Sequence, residues 1–439
     1  MNGKIYYMKQ YSILSLFLVL LFTACKKEET AFDQSPDERL NEALNKYQSI
    51  LASSPTGWNA TMLAGNGVTY NFHFRFNNAN RVFMYADINS EAAATANESS
   101  YRLKAMQTPS LIFDTYSYIH VLSDPDASKN GGAYGQGLAT DFEFSLDSQV
   151  ADTVMLTGRK NGTKIKLVRS TPQEFDAWQN GGWAKSMSFE NINKIQNYFK
   201  RVSIGGVNYE VRVNVGSRTI TFIWVDGSGN VQQFTTKYNY SATGVVLVTP
   251  LATGTETISQ IEIVGWDNAT STINVKVNGN ASTIAGNARP LAVDLNAPRR
   301  WFQQAVNDGE YWFSQNGFHV NGVDDAFNIK SLDKYYYLIY WPSYAPGSND
   351  LFAPVFINAA GTSLELLYGA APRVAQFTTD GRAIFSLLGN YGSYPTTGPA
   401  AQSRAQLLSP QGYYFIQTGQ NSYDMVSATD AKAWVSWIR

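Results

Sequence analysis

From Trp58 onward the chain alternates apolar and polar residues with a period of two. In Tyr70-Asn71-Phe72-His73-Phe74-Arg75-Phe76 the rings point one way and the polar side chains the other, as in a strand with one buried face. Asn77 to Asn80 supplies a turn, and Arg81 to Tyr85 returns. Further strands are expected over 101–106, 111–116, 141–146, 153–158 and 164–169, joined as hairpins by turns such as Lys160-Asn161-Gly162. In this reading His73 and His120 both lie on strands, His120 on one face with Tyr116 and Tyr118.

Helical spacing frames this meander. Ser35-Pro36-Asp37-Glu38 is a capping box with proline in the first turn, and Leu40, Ala43, Leu44, Tyr47, Ile50 and Leu51 then share a face. Thr171-Pro172-Gln173-Glu174 starts a second helix that stops at Gly181-Gly182, and Ser188 to Val202 reads as a third.

The next segments parallel the first. VNYEVRVNVGSRTITFIW (207–224) matches VTYNFHFRFNNANRVFMY (68–85) in pattern. KYNYSATGVVLVTPL (237–251) follows SYRLKAMQTPSLIFDTY (100–116), and 257–277 follows 139–159. The order is kept while the spacing drifts, which predicts two related β domains. A third module opens with a helix from Asn296-Ala297-Pro298 to Asp308-Gly309. Strands follow near 311–313, 335–340, 355–357, 383–388 and 413–417. Ser427 to Asp430 reads as a last capping box, with Ala431, Trp434, Val435 and Ile438 on one face of a closing helix.

The expected fold is therefore mainly β, with antiparallel meander, barrel-like or sandwich modules and short capping helices. The expected units are 35–180, 186–290 and 295–439. They follow a signal peptide over 1–24 and a tether over 25–34.

That signal peptide changes the picture most. Lys4 and Lys9 precede an apolar stretch from Ile13 to Phe22, and Leu21-Phe22-Thr23-Ala24-Cys25 has the form of a lipoprotein cleavage site. Cys25 is the single cysteine in 439 residues. Once it carries acyl chains, no thiol remains for disulfides, metal or catalysis. Lys26-Lys27-Glu28-Glu29 follows, and acidic residues there resemble the surface-export signal of Bacteroidota lipoproteins, which implies the outer face of the outer membrane, with the periplasmic face as the alternative.

Removing Lys4 and Lys9 from 34 basic residues leaves 32 against 35 acidic, a net charge of −3. No basic stripe is left for nucleic acid. Aromatics form 14% of the chain and charged residues 16%, the profile of an extracellular β protein.

Catalytic motifs are scarce. His73, His120 and His319 have no local metal-ligand spacing, and H-E-x-x-H is absent. Asp124-Pro125-Asp126-Ala127-Ser128-Lys129-Asn130 alternates oxygen side chains, but Lys129 stands where a calcium loop needs glycine and Gly135 where it needs glutamate. Ser331-Leu332-Asp333-Lys334 fits S-x-x-K but precedes a strand pattern rather than opening a helix. Asp324-Asp325 are adjacent and cannot oppose each other as acid and base. No cofactor or catalytic residue is expected.

What remains is a set of rings on segments read as loops. Trp341 and Tyr344 lie in Tyr340-Trp341-Pro342-Ser343-Tyr344-Ala345-Pro346-Gly347-Ser348-Asn349-Asp350, and Tyr391 and Tyr394 lie in Tyr391-Gly392-Ser393-Tyr394-Pro395. Flat apolar faces beside Asn349 and Asp350 suit a glycan or peptide.

Several segments resemble a family of Bacteroidota lipoproteins without an assigned activity. They are FDQSPDERLNEAL (32–44), SSYRLKAMQTPSLIFDTYSYIHVLSDP (99–125), GLATDFEFS (137–145), GRKNGTKIKLVRST (158–171) and GYYFIQTGQNSYDMVSATDAKAW (412–434). Members are encoded beside a starch-utilisation-type TonB-dependent transporter and its lid lipoprotein, often with a predicted zinc metallopeptidase. The resemblance implies a setting, nutrient uptake at the outer membrane, with the transporter pair as partners. It supplies no site residues. The expected function is an accessory ligand-binding or scaffolding lipoprotein. The alternatives are a hydrolase with a site assembled across modules and a structural or adhesive surface lipoprotein.

Overall fold

The computed structural model describes residues 35–254 and 256–439. The signal peptide, Cys25 and the tether lie outside the described residues. The first helix, Pro36–Ala52, is capped as its sequence dictates. Ser35 Oγ accepts from the Glu38 N–H at 3.2 Å, and the Glu38 carboxylate accepts from the Ser35 N–H at 2.8 Å. Its buried residues Tyr47 and Leu51 pack on the first β unit, and the Trp58 indole donates to the Leu51 carbonyl at 2.9 Å.

That unit is a closed antiparallel barrel of strands β1 (Trp58–Leu63), β2 (Thr69–Phe76), β3 (Arg81–Ala86), β4 (Asn97–Ala105), β5 (Pro109–Phe113), β6 (Glu143–Val150), β7 (Thr153–Gly158) and β8 (Lys164–Arg169). Each pairs with the next, and β1 pairs with β8 in the register Trp58↔Arg169. Eight strands enclose a space that side chains fill. Here Met62, Phe72, Phe74, Met84, Tyr101 and Phe144 are among those that fill it. The face with Asn71, His73 and Arg75, polar in sequence, is not wholly wet. The helix Pro172–Gln179 covers it, and His73 stacks on Phe175 at 5.1 Å.

The second unit repeats the plan with β9 (Phe199–Ile204), β10 (Val207–Asn214), β11 (Thr219–Val225), β12 (Val231–Tyr240), β13 (Gly244–Ala252), β14 (Thr257–Asp267), β15 (Thr272–Val277) and β16 (Asn280–Asn287). It closes through β9 and β16, with Phe199↔Asn287. The parallel sequence segments fall on the second and third, fourth and fifth, and sixth and seventh strands of each barrel.

The third unit is a curled 12-stranded antiparallel sheet, with ten strands along one path and two short strands paired onto it. Its strands are β17 (Trp312–Ser314), β18 (His319–Val320), β19 (Tyr335–Ala345), β20 (Asn349–Ile357), β21 (Leu364–Glu365), β22 (Tyr368–Pro372), β23 (Gln376–Phe377), β24 (Arg382–Ile384), β25 (Leu387–Gly392), β26 (Tyr413–Gly419), β27 (Ser422–Ser427) and β28 (Ala433–Ile438). The helix Ala297–Asp308 buries Trp301 among Trp312, Tyr340, Phe415 and Trp437.

Some expected elements take another form. The closing helix is strand β28. Ala433, Val435 and Trp437 point inward at period two, and a turn with Ala431 at φ 58° occupies the expected cap. The helix expected over 188–202 is a 3-10 helix, Ser188–Lys194, because the residues after it are needed as β9 to close the second barrel. His120 sits in a one-turn helix, Tyr118–Val121, rather than a strand, with its ring 4.6 Å from that of Phe142.

The barrels meet through a buried ion pair. Arg218 donates to Asp87 Oδ2 at 3.1 Å, to the Asp87 carbonyl at 2.6 Å and to the Thr69 carbonyl at 2.8 Å. Its guanidinium lies 4.7 Å from the Tyr70 ring centre and 4.8 Å from that of Tyr240. Asn71 donates twice to the same carboxylate, at 2.8 and 2.7 Å. The second barrel meets the third unit through Tyr198, whose hydroxyl donates to Asp424 at 2.6 Å.

Candidate ligand-binding surface on the third sheet

Alternation along β19 decides which rings are core. Leu338 and Tyr340 face inward and are fully buried, while Tyr337, Ile339 and Trp341 face outward. The pairing Trp312↔Tyr340 and Phe313↔Ile339 brings Tyr311 beside Trp341 on that outer face. A continuous strip of rings results. Phe313 lies 5.2 Å from Tyr337, Tyr337 6.1 Å from Tyr311, and Tyr311 5.2 Å from Trp341. Trp341 lies 5.3 Å from Tyr344 and Tyr344 6.1 Å from Tyr391, both edge to face, an arrangement aromatic quadrupoles favour.

The strip rests on a small apolar layer of Ile339, Leu351, Ala353 and Val355. Tyr391 pairs with Gly369 across β22 and β25. A Cβ on Gly369 would meet Leu351 Cδ1 at 2.7 Å and Ala353 Cβ at 2.9 Å, so only glycine lets these strands sit this close to the layer. At one end of the strip Tyr391 is 40% exposed. The Tyr311 and Tyr337 hydroxyls share a hydrogen bond of 2.6 Å. Burial, aided by Tyr391, holds the Tyr344 phenol above its ordinary pKa. The surface offers neutral rings and phenolic hydroxyls.

Of the four rings singled out in the sequence, Trp341, Tyr344 and Tyr391 come together. Tyr394 does not. It is 8% exposed, its hydroxyl donates to the Ala400 carbonyl at 2.7 Å, and Arg404 covers its face at 4.3 Å. It plugs the inner core. Residues 340–350 are also no loop but the hairpin of β19 and β20, turned through Gly347. Asp350 is buried rather than offered to a ligand. It accepts from the Tyr340 hydroxyl at 2.6 Å and from the Ser343 N–H at 2.8 Å. Tyr311, Phe313 and Tyr337 were missed, although Tyr311-Trp312-Phe313 already showed the outward spacing of two.

Other candidates are accounted for locally. Asp124, Asp126 and Asn130 turn side-chain oxygens to their own loop's N–H groups at 2.9, 2.9 and 2.8 Å. Among the described residues no three His, Cys, Asp or Glu side chains are placed to hold a metal. Asp325 accepts from the N–H groups of Ile329 and Lys330, capping a 3-10 turn. Asp324 Oδ1 lies 2.5 Å from His319 Nδ1, and the imidazole stacks on Trp434 at 3.7 Å beside a cavity of about 250 Å³. No nucleophile bonds this imidazole among the described residues, so the pair lacks the third member of a hydrolytic triad. No described helix is long and apolar enough to cross a membrane.

Comparison with solved structures gives weak likenesses. The DNA polymerase III beta subunit of Thermotoga maritima is 7% identical, with 91% of this chain and 97% of that chain covered and a TM-score of 0.13. The beta clamp of Helicobacter pylori bound to a DNA ligase peptide is 8% identical over 91% and 97%, with a TM-score of 0.14. Scores this low carry no argument about fold or function. No curated protein matches the sequence. The model of DUF4302, a domain of unknown function, matches residues 28–267, which takes in the first barrel and the second as far as β14. The chain therefore belongs to the DUF4302 family.

Proposed function

We propose that this protein is a cell-surface lipoprotein, an accessory ligand-binding or scaffolding subunit of an outer-membrane uptake system that takes a glycan or peptide. The observation that carries the reading is the aromatic strip from Phe313 to Tyr391, whose rings are fixed by strands rather than loops. Rings held ready lose little entropy on binding. The Cys25 signal supports the anchor, and the family resemblance supports the transporter pair as partners.

The test is a screen of immobilised glycans and peptides against the full chain carrying Cys25→Ala, with Trp341→Ala and Tyr391→Ala added separately. Retention of a glycan or peptide should fall at least tenfold in both variants. Tyr391 is exposed enough that its variant should melt within a few degrees of the parent. The reading is overturned if the parent retains nothing, or if both variants bind as it does. For the anchor, Cys25→Ala should move the protein from the membrane fraction to the soluble one. Retention of that variant after a carbonate wash sinks the lipoprotein assignment.

A further inference from the structure

A second site lies between the barrels, and its position follows from a reversal of the chain. The helix Pro172–Gln179 ends at Asn180, Gly181 takes φ 75°, and the helix Gly182–Met187 runs back. The reversal lays Trp183 on Trp178 at 4.1 Å with the rings 7° from parallel. Trp178 in turn stacks on Tyr85 at 5.9 Å. The indole pair forms one wall of a cleft of about 480 Å³, within the usual size of small-molecule sites, about 300–1,000 Å³. The outer faces of β1, β2 and β8 form the opposite wall, and the chain at Tyr240 and Ser241 of the second barrel closes one side.

The cleft has unspent polar groups. The side chains of Asn59, Thr61 and Lys166, and the indole N–H groups of Trp178 and Trp183, have no hydrogen-bond partner among the described residues. Glu174 commits one carboxylate oxygen, Oε2, to the cap at Thr171 and lines the cleft too. Asn59 and Thr61 sit two apart on β1, and Thr61 pairs with Lys166 across β8, so these groups form one cluster. The lining is rigid because Asn71, which also faces it, is held by Asp87, the residue that Arg218 of the second barrel grips.

We propose that this cleft binds a neutral saccharide. Trp178 is core, held between Trp183 and Tyr85. The half-buried indole of Trp183 is therefore the one whose face lines the cleft, and an indole suits the apolar face of a sugar ring. Amide, hydroxyl and ammonium groups suit hydroxyls, which both donate and accept. One cation and one carboxylate leave the lining neutral, which does not favour a phosphate or other anion. An acyl chain would bury Lys166 and Asn59 without partners, and that is costly. The site is separate from the aromatic strip, and all its residues fall within the stretch that the DUF4302 model matches.

The test uses the Cys25→Ala chain on an array of neutral oligosaccharides. Asn59→Leu and Trp183→Ala are compared with Tyr391→Ala. Asn59→Leu changes a strand surface without removing core, so it guards against a folding artefact in Trp183→Ala. Retained sugar should bind at least tenfold more weakly to both cleft variants and unchanged to Tyr391→Ala. It should also quench tryptophan fluorescence in the parent and not in Trp183→Ala. The proposal fails if no neutral sugar is retained, or if a retained sugar binds both cleft variants as it binds the parent. Loss with Tyr391→Ala alone would place that sugar on the strip, whereas loss confined to the cleft variants would place it in the cleft and leave the strip to a different glycan or peptide.

Discussion

Two buried titratable side chains push stability in opposite directions with pH. His73 donates from Nε2 to the Thr56 carbonyl at 2.7 Å, and burial lowers its pKa from 6.5 to about 4. The unfolded chain takes up a proton at 6.5 while the folded one refuses it, so stability is lost as pH falls from 6.5 towards 4. Asp350 is the reverse, with burial raising its pKa from 3.8 to about 6. The folded state holds that proton longer, so stability is full below 3.8 and lost as pH rises towards 6. Each effect is worth about 3 kcal/mol, and in the wild type they largely cancel. Urea unfolding between pH 4 and 7 should therefore be nearly flat for the parent. Asp350→Asn should be less stable at pH 4 than at pH 7, and His73→Gln the opposite. Matching pH profiles for all three would contradict this assignment. At this scale the sequence told outward rings from one another poorly. Trp341, Tyr344 and Tyr391 were legible because large rings stood among turn residues. Tyr394 stood in the same company, and only the position of Ala400 and Arg404 decides that it is covered.

Among the elements, the hairpin of β7 and β8 depends on a residue outside it. Asp141 accepts from the N–H groups of Lys160 and Asn161 at 2.9 Å and from the Thr163 hydroxyl at 2.7 Å. Burial alone would raise its pKa, but the bonds from Asn161 and Thr163 outweigh it and hold the carboxyl below its usual range. The carboxylate sits against Gly158, where an added Cβ would lie 2.0 Å from Asp141 Oδ2. Asp141→Ala should cost about 3 kcal/mol, as charge-assisted bonds to Lys160, Asn161 and the buried Thr163 are lost. Gly158→Ala should act by displacing the same carboxylate, so the double variant should be little worse than the more damaging single one. Additive losses in denaturant melts would show that the two positions act independently. Hairpins of this kind were legible because period two and turn residues are local signals. The final strand was not, because Ala431, Trp434, Val435 and Ile438 fit helical spacing while Ala433, Val435 and Trp437 fit a strand. Only the pairing with β27, Met425↔Val435, selects between them.

At the scale of the whole molecule the joint between barrels rests on Arg218 and Asp87, 131 residues apart. Nothing local announces such a pair, just as nothing local announced that β1 would close on β8. What could be read was the repeated order of segments, because each barrel is a meander of neighbours. Arg218→Ala would leave the Asp87 carboxylate buried without its cation, at a cost of about 3–5 kcal/mol. Arg218→Ala combined with Asp87→Ala should recover part of it. A double variant no more stable than Arg218→Ala would mean that the charge pair is not what holds the joint. The way each barrel closes has a further consequence. The start of β1 lies beside the end of β8, and the start of β9 beside the end of β16, so the chain enters and leaves each barrel at one seam. A unit built this way can be copied in tandem or spliced into another chain without rethreading its neighbours. It should equally survive having its old ends joined and new ones opened at an exposed turn such as Gly227-Ser228-Gly229 of the second barrel.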